Sequence, residues 1–282
     1  MIVCETIEQI RAELNASAHP VVFVPTMGAL HEGHLSLVKR AREWGGINAK
    51  VVVSIYVNPT QFAPNEDFKS YPRELESDLE KCREAGVDVI FAPEGSLFPE
   101  SASTHIVEDS LSEGLCGKSR PHFFGGVCTV VAKLFNIVQP NAAVFGEKDF
   151  QQLAIIRRMV RDLDFPIEIL GAPIVREPDG LAMSSRNQYL SERERGQAKV
   201  LSEALEMAKQ YMIAGERDPD AVDSVVRSRI QTARSARIDY VQIVDPEDLR
   251  ELSKIEDQAL VAIAVFLGKT RLIDNICVRG LA

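Results

Sequence analysis

Two histidines three residues apart, His31 and His34, stand in a glycine-containing turn with the sequence PTMGALHEGH. An apolar run precedes the turn and an amphipathic segment follows it, so the pattern predicts a strand that feeds a helix. The first N–H groups of such a helix are free and carry the positive end of its dipole, which favours a phosphate group. A spacing of three residues lets both imidazoles face one ligand. The turn therefore predicts a nucleotide-phosphate site.

An exposed loop with two incidental histidines and a metal site are the alternative interpretations of this turn. It is not H-E-x-x-H, and no third His or Cys lies nearby in the sequence, which argues against zinc-protease chemistry. The predicted strand-turn-helix context favours phosphate contact. We therefore assign no metal ligand.

Two further segments have a phosphate-binding composition, GEKD (residues 146–149) and MSSR (residues 183–186). In GEKD, the Lys148 ammonium can neutralise a β- or γ-phosphate, although Glu147 and Asp149 also suit the first turn of a helix as plain capping residues. MSSR combines two hydroxyls with a guanidinium, a composition that ordinary linkers share. Each segment alone is a weak signal.

Gln61 and Gln152 are uncharged side chains that can hold a hydroxyl or a carboxylate of a small substrate. Gln61 lies in the loop NPTQF, and Gln152 lies in the segment after GEKD. A solvated or structural role is the ordinary alternative for any single glutamine. Arg120 is equally consistent with a plain surface residue.

A parallel sheet brings such segments together. After an opening helix that contains Ile7, Ile10 and Leu14, strand-like runs alternate with helix-like segments to about residue 176. This alternation predicts β-α-β units with right-handed crossovers, and ligands bind at the carboxyl ends of such strands. All three phosphate-binding segments can then line one crevice. The predicted strands are residues 20–25, 50–59, 87–93, 142–146 and 167–175, and the predicted helices are residues 35–44, 71–87, 125–140 and 147–163.

The order of elements changes at residues 176–194, a stretch that contains Pro178 and Gly180. Beyond it, helices precede adjacent strands, which indicates a small α+β domain with an antiparallel sheet. We predict an α/β fold: a Rossmann-like, doubly wound parallel-sheet domain over residues 1–176, then the α+β domain over residues 177–282. The predicted helices of the second domain are residues 191–214 and 220–233, and its strands are residues 238–246, 258–268 and 270–278.

The composition argues against several classes of partner and indicates where the protein is located. A net charge of −9 argues against a broad nucleic-acid-binding surface or an anionic membrane surface. Five scattered cysteines without a C-x-x-C pair fit a reducing compartment. The N-terminal segment carries Glu5 and Glu8 and is not a signal peptide, and no apolar run approaches the roughly 18 residues of a membrane span. We expect a cytoplasmic protein that binds small molecules.

The motifs PTMGALHEGH, NPTQF, GEKDFQQ and MSSRN, in this order and at these separations, closely resemble those of the pantoate:β-alanine ligase family. The resemblance extends over essentially the whole chain. HxGH alone is shared with other nucleotidylyltransferases and class I aminoacyl-tRNA synthetases, whereas the Gln-bearing loop and GEKDxQQ are not. The resemblance implies that a homodimer condenses (R)-pantoate with β-alanine through a pantoyl-adenylate. ATP is consumed with Mg²⁺ on its phosphates, and pyrophosphate and AMP are released.

The same resemblance implies roles for individual residues. His34 is the catalytic imidazole, and His31, Lys148 and Arg186 act on the phosphates. Gln61 and Gln152 hold pantoate, with Gln61 and Asn58 near the β-alanine, and the C-terminal domain is a lid. The residues implied to surround ATP are Met27, Gly28, Ala29, Leu30, His31, Glu32, Gly33, His34, Gly146, Glu147, Lys148, Asp149, Val175, Met183, Ser184, Ser185 and Arg186.

One stretch departs from the family pattern. S-R-P-x-H-F-x-G-V becomes SRPHFFGGV here, so Phe123 occupies the position of the family histidine and His122 lies one place earlier. Two other functions stay open: a nucleotidylyltransferase that stops at adenylyl transfer, and a nucleotide-binding module without catalysis. The paired glutamines argue against the first, and the intact set of histidines and cations argues against the second.

Overall fold

The computed structural model describes residues 1–62 and 68–281. Buried, β-branched runs form a parallel sheet of six strands, as such sequences favour when both faces are covered. Its strands are β1 (Ile2–Cys4), β2 (Val21–Thr26), β3 (Lys50–Ile55), β4 (Val89–Phe91), β5 (Ala142–Gly146) and β6 (Glu168–Ala172). The helices between them are α1 (Ile7–Asn15), α2 (Glu32–Gly45), α3 (Leu75–Glu84), α4 (Leu115–Ser119), α5 (Phe123–Val138) and α6 (Phe150–Asp162).

The strand order in this sheet is β1-β4-β3-β2-β5-β6, and every pair is parallel. From β2 the chain continues outward through β3 and β4, and it then returns to place β5 on the other side of β2. The switch point therefore lies between β2 and β5, where Val22 pairs with Ala142 and Phe23 with Ala143. In an open parallel sheet this is the place where a ligand crevice forms.

Helices cover both faces of the sheet. On one face, α1, α5 and α6 pack on the strands, with Phe23 and Phe91 fully buried against the α5 side chain Phe135 and its neighbours. On the other face, α2 and α3 pack on Val24, Val53 and the other strand residues that point to that side. The predicted doubly wound, Rossmann-like arrangement is confirmed.

A second sheet follows, with three antiparallel strands in the order β7-β8-β9. Helices α8 and α9 cover one face, where Leu201 and Val226 pack near Ile263. On the opposite face, Leu260 joins Leu115 and Phe150 of the parallel-sheet unit in one apolar cluster. The elements are α7 (Glu192–Ala198), α8 (Val200–Ile213), α9 (Pro219–Gln231), β7 (Ala236–Val244), β8 (Gln258–Leu267) and β9 (Thr270–Arg279).

The predicted order of elements is confirmed, with local exceptions. The single helix predicted over residues 191–214 is wrong, because a turn at Lys199 with ψ −20°, a value closer to a 3₁₀ than an α conformation, separates α7 from α8. β1 was not predicted, and residues 167–175 supply one strand. The helix predicted over residues 71–87 is confined to Leu75–Glu84, and Gly86 follows it with φ +75°. None of the helices within residues 1–62 and 68–281 has the length and apolar character of a membrane-spanning helix.

Candidate active site

A cavity of about 970 Å³ lies at the switch point of the sheet. The ends of β2 and β5 form its floor, and the segment after β6 forms a side wall. The opposite side is closed by β7 and β9, which belong to the second unit, the elements from α7 to β9. Side chains from both units therefore face the same space. A cavity of this size suits a small organic ligand.

Most of the residues predicted to bind the nucleotide line this cavity. They are Met27, His31, Gly33, His34, Gly146, Lys148, Asp149, Val175, Met183, Ser184, Ser185 and Arg186, and the predicted substrate residues Asn58, Gln61 and Gln152 join them. The cavity lining does not include five other predicted residues, Gly28, Ala29, Leu30, Glu32 and Glu147. The structure brings the three phosphate-binding segments together, and their contact with ATP stays a prediction.

The turn that precedes α2 is held from behind by α3. Gly28 and Ala29 have left-handed backbone angles, φ +82° and +51°. The buried carboxylate of Asp78 accepts the N–H groups of Ala29 at 2.9 Å and Leu30 at 2.7 Å, and the Lys81 ammonium donates to the Leu30 carbonyl at 2.8 Å. A Cβ on Gly28 would lie 2.9 Å from the Asp78 carboxylate, which explains the glycine. A protein carboxylate thus occupies the N–H groups of two residues, Ala29 and Leu30, that the family resemblance implies to surround ATP.

The two imidazoles are oriented by the first turn of α2. The His31 ring accepts the N–H of Gly33 at its Nδ1 (3.1 Å), and the His34 ring accepts the N–H of His31 at its Nδ1 (3.3 Å). The ring centroids are 4.1 Å apart. Because Nδ1 is an acceptor in both rings, the hydrogen-bond pattern assigns the proton of each neutral ring to Nε2. Among the described residues no hydrogen-bond acceptor takes either Nε2–H, so each can donate to a ligand.

Both histidines are neutral at physiological pH. Loss of solvent, together with the positive charges of Lys148 and Lys81, lowers the pKa of His31 from 6.5 to about 4. Loss of solvent also lowers the pKa of His34 to about 3, with added contributions from His31, Lys148 and Lys81. The pair therefore offers hydrogen-bond donors without net charge, next to the ammonium of Lys148.

Lys148 lies in a short 3₁₀ turn, Glu147–Asp149, between β5 and α6. Its ammonium is 3.8 Å from the Asp149 carboxylate. The second unit holds this turn, because the Asn275 amide on β9 donates to the carbonyls of Glu147 at 3.0 Å and Lys148 at 2.9 Å. The position of the lysine thus depends on both units.

The MSSR segment follows a small hairpin. Arg176 and Ala182 form an isolated antiparallel bridge, and the N–H of Met183 donates to the Val175 carbonyl at 3.0 Å. Ser184 then caps the 3₁₀ helix Ser185–Tyr189 by accepting the N–H of Arg186 at 3.3 Å. The hairpin brings Val175, Ser184, Ser185 and Arg186 to the cavity wall.

On the substrate side, Gln61 is oriented by its neighbours. The buried Asn58 amide donates to the Gln61 side-chain oxygen at 3.1 Å and to the Gly126 carbonyl at 3.2 Å. The Gln61 amide nitrogen is 3.1 Å from the Met27 sulfur. These contacts fix the orientation of the Gln61 amide beside Met27. Asn58 is itself buried in the cavity lining and donates directly to Gln61.

The departure from the family pattern has a visible packing role. The guanidinium of Arg120 lies 3.8 Å from the centre of the Phe123 ring, and it donates to the Gln61 carbonyl at 3.2 Å. Both Arg120 and Phe123 line the cavity, whereas His122 precedes the first residue of α5 and is not part of the lining. The interpretation of Arg120 as a plain surface residue is therefore wrong.

Asp78, Asp274 and Asn275 are among the polar residues with contacts at the site that were missed from the sequence. For Asp78 a signal exists in the helix predicted over residues 71–87, where it lies at helical spacing from Cys82. Leu75 is 42% exposed and Asp78 is 1% exposed, so a carboxylate takes the inward place four residues before Cys82. Asp274 and Asn275 lie in an apolar strand far along the chain, and only their position in a strand-like run marks them.

In the described ranges, no three His, Cys, Asp or Glu side chains cluster to hold a metal ion.

Comparison with known proteins gives one family. The model of the family described as pantoate-beta-alanine ligase matches residues 2–277. A pantothenate synthetase of Enterococcus faecalis (strain ATCC 700802 / V583) is 51% identical over 279 residues, which cover 98% of each chain. A pantothenate synthetase of Clostridium botulinum (strain Langeland) is 53% identical over 254 residues, 90% of this chain and 89% of that protein.

Solved structures agree. The pantothenate synthetase of Thermus thermophilus superposes with a TM-score of 0.92 at 46% identity, covering 98% of this chain and 99% of that one. The pantoate-beta-alanine ligase of Francisella tularensis, solved with beta-gamma ATP and beta-alanine, gives 0.80 at 35% identity, covering 98% and 97%. The fold, the order of motifs and these matches lead to one conclusion: the chain is a ligase that belongs to the pantoate-beta-alanine ligase family.

Proposed function

We propose that the enzyme condenses (R)-pantoate with β-alanine through a pantoyl-adenylate, with release of pyrophosphate and then AMP. The observation that carries this proposal is the composition of one cavity. Donors and cations for phosphate, from His31, His34, Lys148 and Arg186, face the same space as the uncharged Gln61 and Gln152. Activation of a carboxylate by ATP needs groups that bind phosphate next to groups that hold the carboxylate substrate.

In the first step, a pantoate carboxylate oxygen attacks the α-phosphorus of ATP, and the bond to the bridging oxygen of pyrophosphate breaks. Negative charge grows on the transferring phosphoryl group and on the leaving pyrophosphate. Fixed donors and cations lower this barrier electrostatically, and no protein nucleophile is needed. The Nε2–H groups of His31 and His34, with Lys148 and Arg186, are the groups that we assign to this task.

In the second step, the neutral amine of β-alanine attacks the acyl carbon of the adenylate, and AMP leaves with the oxygen that came from pantoate. Orientation of the amine and exclusion of water govern this step, because water would hydrolyse the mixed anhydride. We assign the pantoyl group to Gln61 and Gln152, and the vicinity of Gln61 and Asn58 to β-alanine. We propose that the second unit is a domain of residues 177–282. We propose that this domain acts as a lid over the cavity.

Mg²⁺ enters this scheme as part of the substrate, Mg-ATP. This ion usually keeps several waters and takes few carboxylates beside the substrate phosphates. The Asp149 carboxylate lines the cavity beside Lys148 and offers one such oxygen. When bound, the ion neutralises phosphate charge. We also propose a homodimer and a cytoplasmic location, the latter supported by free thiols at all five cysteines.

Isotope transfer tests the adenylate. Pantoate labelled with ¹⁸O in its carboxylate is incubated with β-alanine and Mg-ATP, and the products are analysed by mass spectrometry. Attack on the α-phosphorus places one ¹⁸O in AMP for each pantothenate formed. Label in inorganic phosphate with ADP as product contradicts the mechanism. A steady output of AMP that is indifferent to β-alanine favours an enzyme that stops at adenylyl transfer, and ATP binding without turnover favours a non-catalytic module.

A further inference from the structure

We propose that Asp274 and Asn275, adjacent on β9, are positioning residues that hold the Lys148 turn and the segment of residues 183–186 at a fixed separation across the cavity. The inference rests on the proposed function, in which both segments contact the polyphosphate of ATP. Neither residue belongs to the segments PTMGALHEGH, GEKD or MSSR. Both are almost completely buried, with exposed fractions of 2% and 5%.

Asn275 holds the lysine turn through its backbone. Its amide nitrogen carries two hydrogens, and it donates to the carbonyls of Glu147 at 3.0 Å and Lys148 at 2.9 Å. Both donors of the amide are thereby used on consecutive residues of the turn. Its cross-strand partner, Ala262, belongs to the apolar cluster between the units, so Asn275 points from β9 toward the parallel-sheet unit.

Asp274 holds the base of the hairpin that carries the MSSR segment. Its two carboxylate oxygens accept from the Arg176 guanidinium at 2.7 and 3.0 Å, a paired geometry that fixes orientation as well as distance. Arg176 also donates to the Gly180 carbonyl at 3.0 Å within the hairpin. Val175, the residue before Arg176, accepts from the N–H of Met183. The ion pair between Asp274 and Arg176 thus fixes the position of the hairpin from which residues 183–186 continue.

Consecutive residues of a strand point to opposite faces of the sheet. Asp274 and Asn275 can therefore reach two separate segments while a single peptide bond fixes the distance between their Cα atoms. β9 is paired with β8 along its length, from Thr270 to Arg279, which keeps that part of the strand rigid. The second unit thereby sets the spacing of cationic groups that the parallel-sheet unit supplies.

The chemistry predicts a selective defect. Displacing a catalytic group by about 1 Å can cost about 10²-fold in rate. We place Lys148 and Arg186 at the β- and γ-phosphates, which ATP has and AMP lacks. Loss of the positioning contacts should therefore weaken ATP binding and catalysis without affecting AMP binding.

The test compares Asn275→Ala, Asn275→Asp and Asp274→Ala with Val278→Ala, a control that removes apolar volume from the same strand on the face that packs against the helices. Asn275→Asp keeps the shape of the side chain and removes both donors. Calorimetry gives the dissociation constants of ATP and AMP, and product formation gives kcat. We expect kcat to fall by roughly 10- to 100-fold and ATP to bind several-fold more weakly, with AMP affinity unchanged. The control should retain wild-type values.

A double-mutant cycle separates positioning from general stability. If Asn275 acts through Lys148, adding Asn275→Ala to Lys148→Ala changes kcat little further. Additive losses overturn the proposal, and so does an equal loss of ATP and AMP affinity. Unfolding of both Asn275 variants also overturns it, because it assigns Asn275 a purely structural role. Wild-type enzyme that makes no pantothenate rejects the proposed function instead, while the comparison of ATP with AMP remains readable.

Discussion

The imidazoles of His31 and His34 reach the cavity as neutral donors because backbone N–H groups of the α2 first turn occupy their Nδ1 atoms. In the proposed mechanism, a charged pair at this place would bind pyrophosphate tightly and slow its release. We propose that the neutral donors stabilise charge while it develops, beside the positive charges of Lys148 and Arg186. This division follows from local backbone geometry and burial together.

We expect His34→Ala to lower the rate of pyrophosphate release by about 10²-fold or more, as for loss of one preorganised donor. The reason is that the Nε2–H of His34 is assigned to the transferring phosphoryl group. The measurement is a coupled pyrophosphate assay at saturating pantoate and Mg-ATP. His19→Ala, at an exposed position outside the cavity, serves as the control. Near-normal release would remove His34 from the mechanism.

The same pair makes stability depend on pH. In the unfolded chain both histidines bind protons as the pH falls through 6.5, whereas in the folded protein their pKa values are about 4 and 3. The unfolded state thus binds more protons between these values, so the free energy of unfolding decreases as the pH falls from 6.5 toward 4. Urea denaturation at several pH values across this range gives the free energy of unfolding as a function of pH. This free energy should depend less steeply on pH in the double variant His31→Asn, His34→Asn than in the wild type. An identical pH dependence would contradict the lowered pKa values.

At the scale of elements, α3 supports the turn between β2 and α2, residues 27–31. The Asp78 carboxylate takes two N–H groups of the turn, and the Lys81 ammonium takes one carbonyl. The turn is therefore shaped before any ligand arrives, and the cost of its left-handed angles is met by contacts behind it. Preorganisation of this kind reduces the ordering that ligand binding requires.

Asp78→Asn should lower the free energy of unfolding by about 1–3 kcal/mol, because one N–H of the turn then faces an amide NH₂ group in a buried place. Activity should fall as well, since the displaced turn carries His31 and His34. Urea denaturation and product formation measure the two effects. Glu80→Gln, at an exposed position of the same helix, should change stability by less than about 0.5 kcal/mol. Equal effects of the two substitutions would argue against the support role.

The elements with a strong local pattern were predictable. The buried strands β2, β3 and β5 and the helix α2 follow from apolar runs, and the segments around the nucleotide motifs follow from strand-turn-helix context. β1 has three residues, too few to show a period, and the break at Lys199 is a change in backbone angle at a residue that is neither glycine nor proline. Asp78 and Asn275 escaped because their partners lie far away in the sequence. Asn275, for example, donates to a carbonyl 127 residues earlier, a distance over which no local pattern operates.

At the scale of the whole molecule, the cavity belongs to neither unit alone. The parallel sheet supplies the imidazoles and Lys148, while β7 and β9 supply the opposite wall. The apolar cluster of Leu115, Phe150 and Leu260 joins the two units beside the cavity. Ligand binding should therefore stabilise both units together.

Mg-ATP at about 100 times its dissociation constant should raise the free energy of unfolding by about 2.7 kcal/mol. The gain should be visible in amide hydrogen exchange of β9 as well as of the Lys148 turn, because Asn275 connects them. Amide hydrogen exchange is followed by mass spectrometry with Mg-ATP, with AMP and without a ligand. AMP serves as the control because it lacks the β- and γ-phosphates. Protection confined to the parallel-sheet unit would show that the second unit is not coupled to the nucleotide.

The switch point between β2 and β5 also has a consequence for how the chain reaches its native state. The N–H of Val21 donates to the Asn141 side chain at 2.8 Å across 120 residues of sequence. Contacts between such distant segments form late, because the intervening loop must be closed first. On the ribosome, the histidine turn emerges long before β5, its neighbour in the sheet. Recovery of nucleotide affinity during refolding should accordingly lag behind the formation of helices.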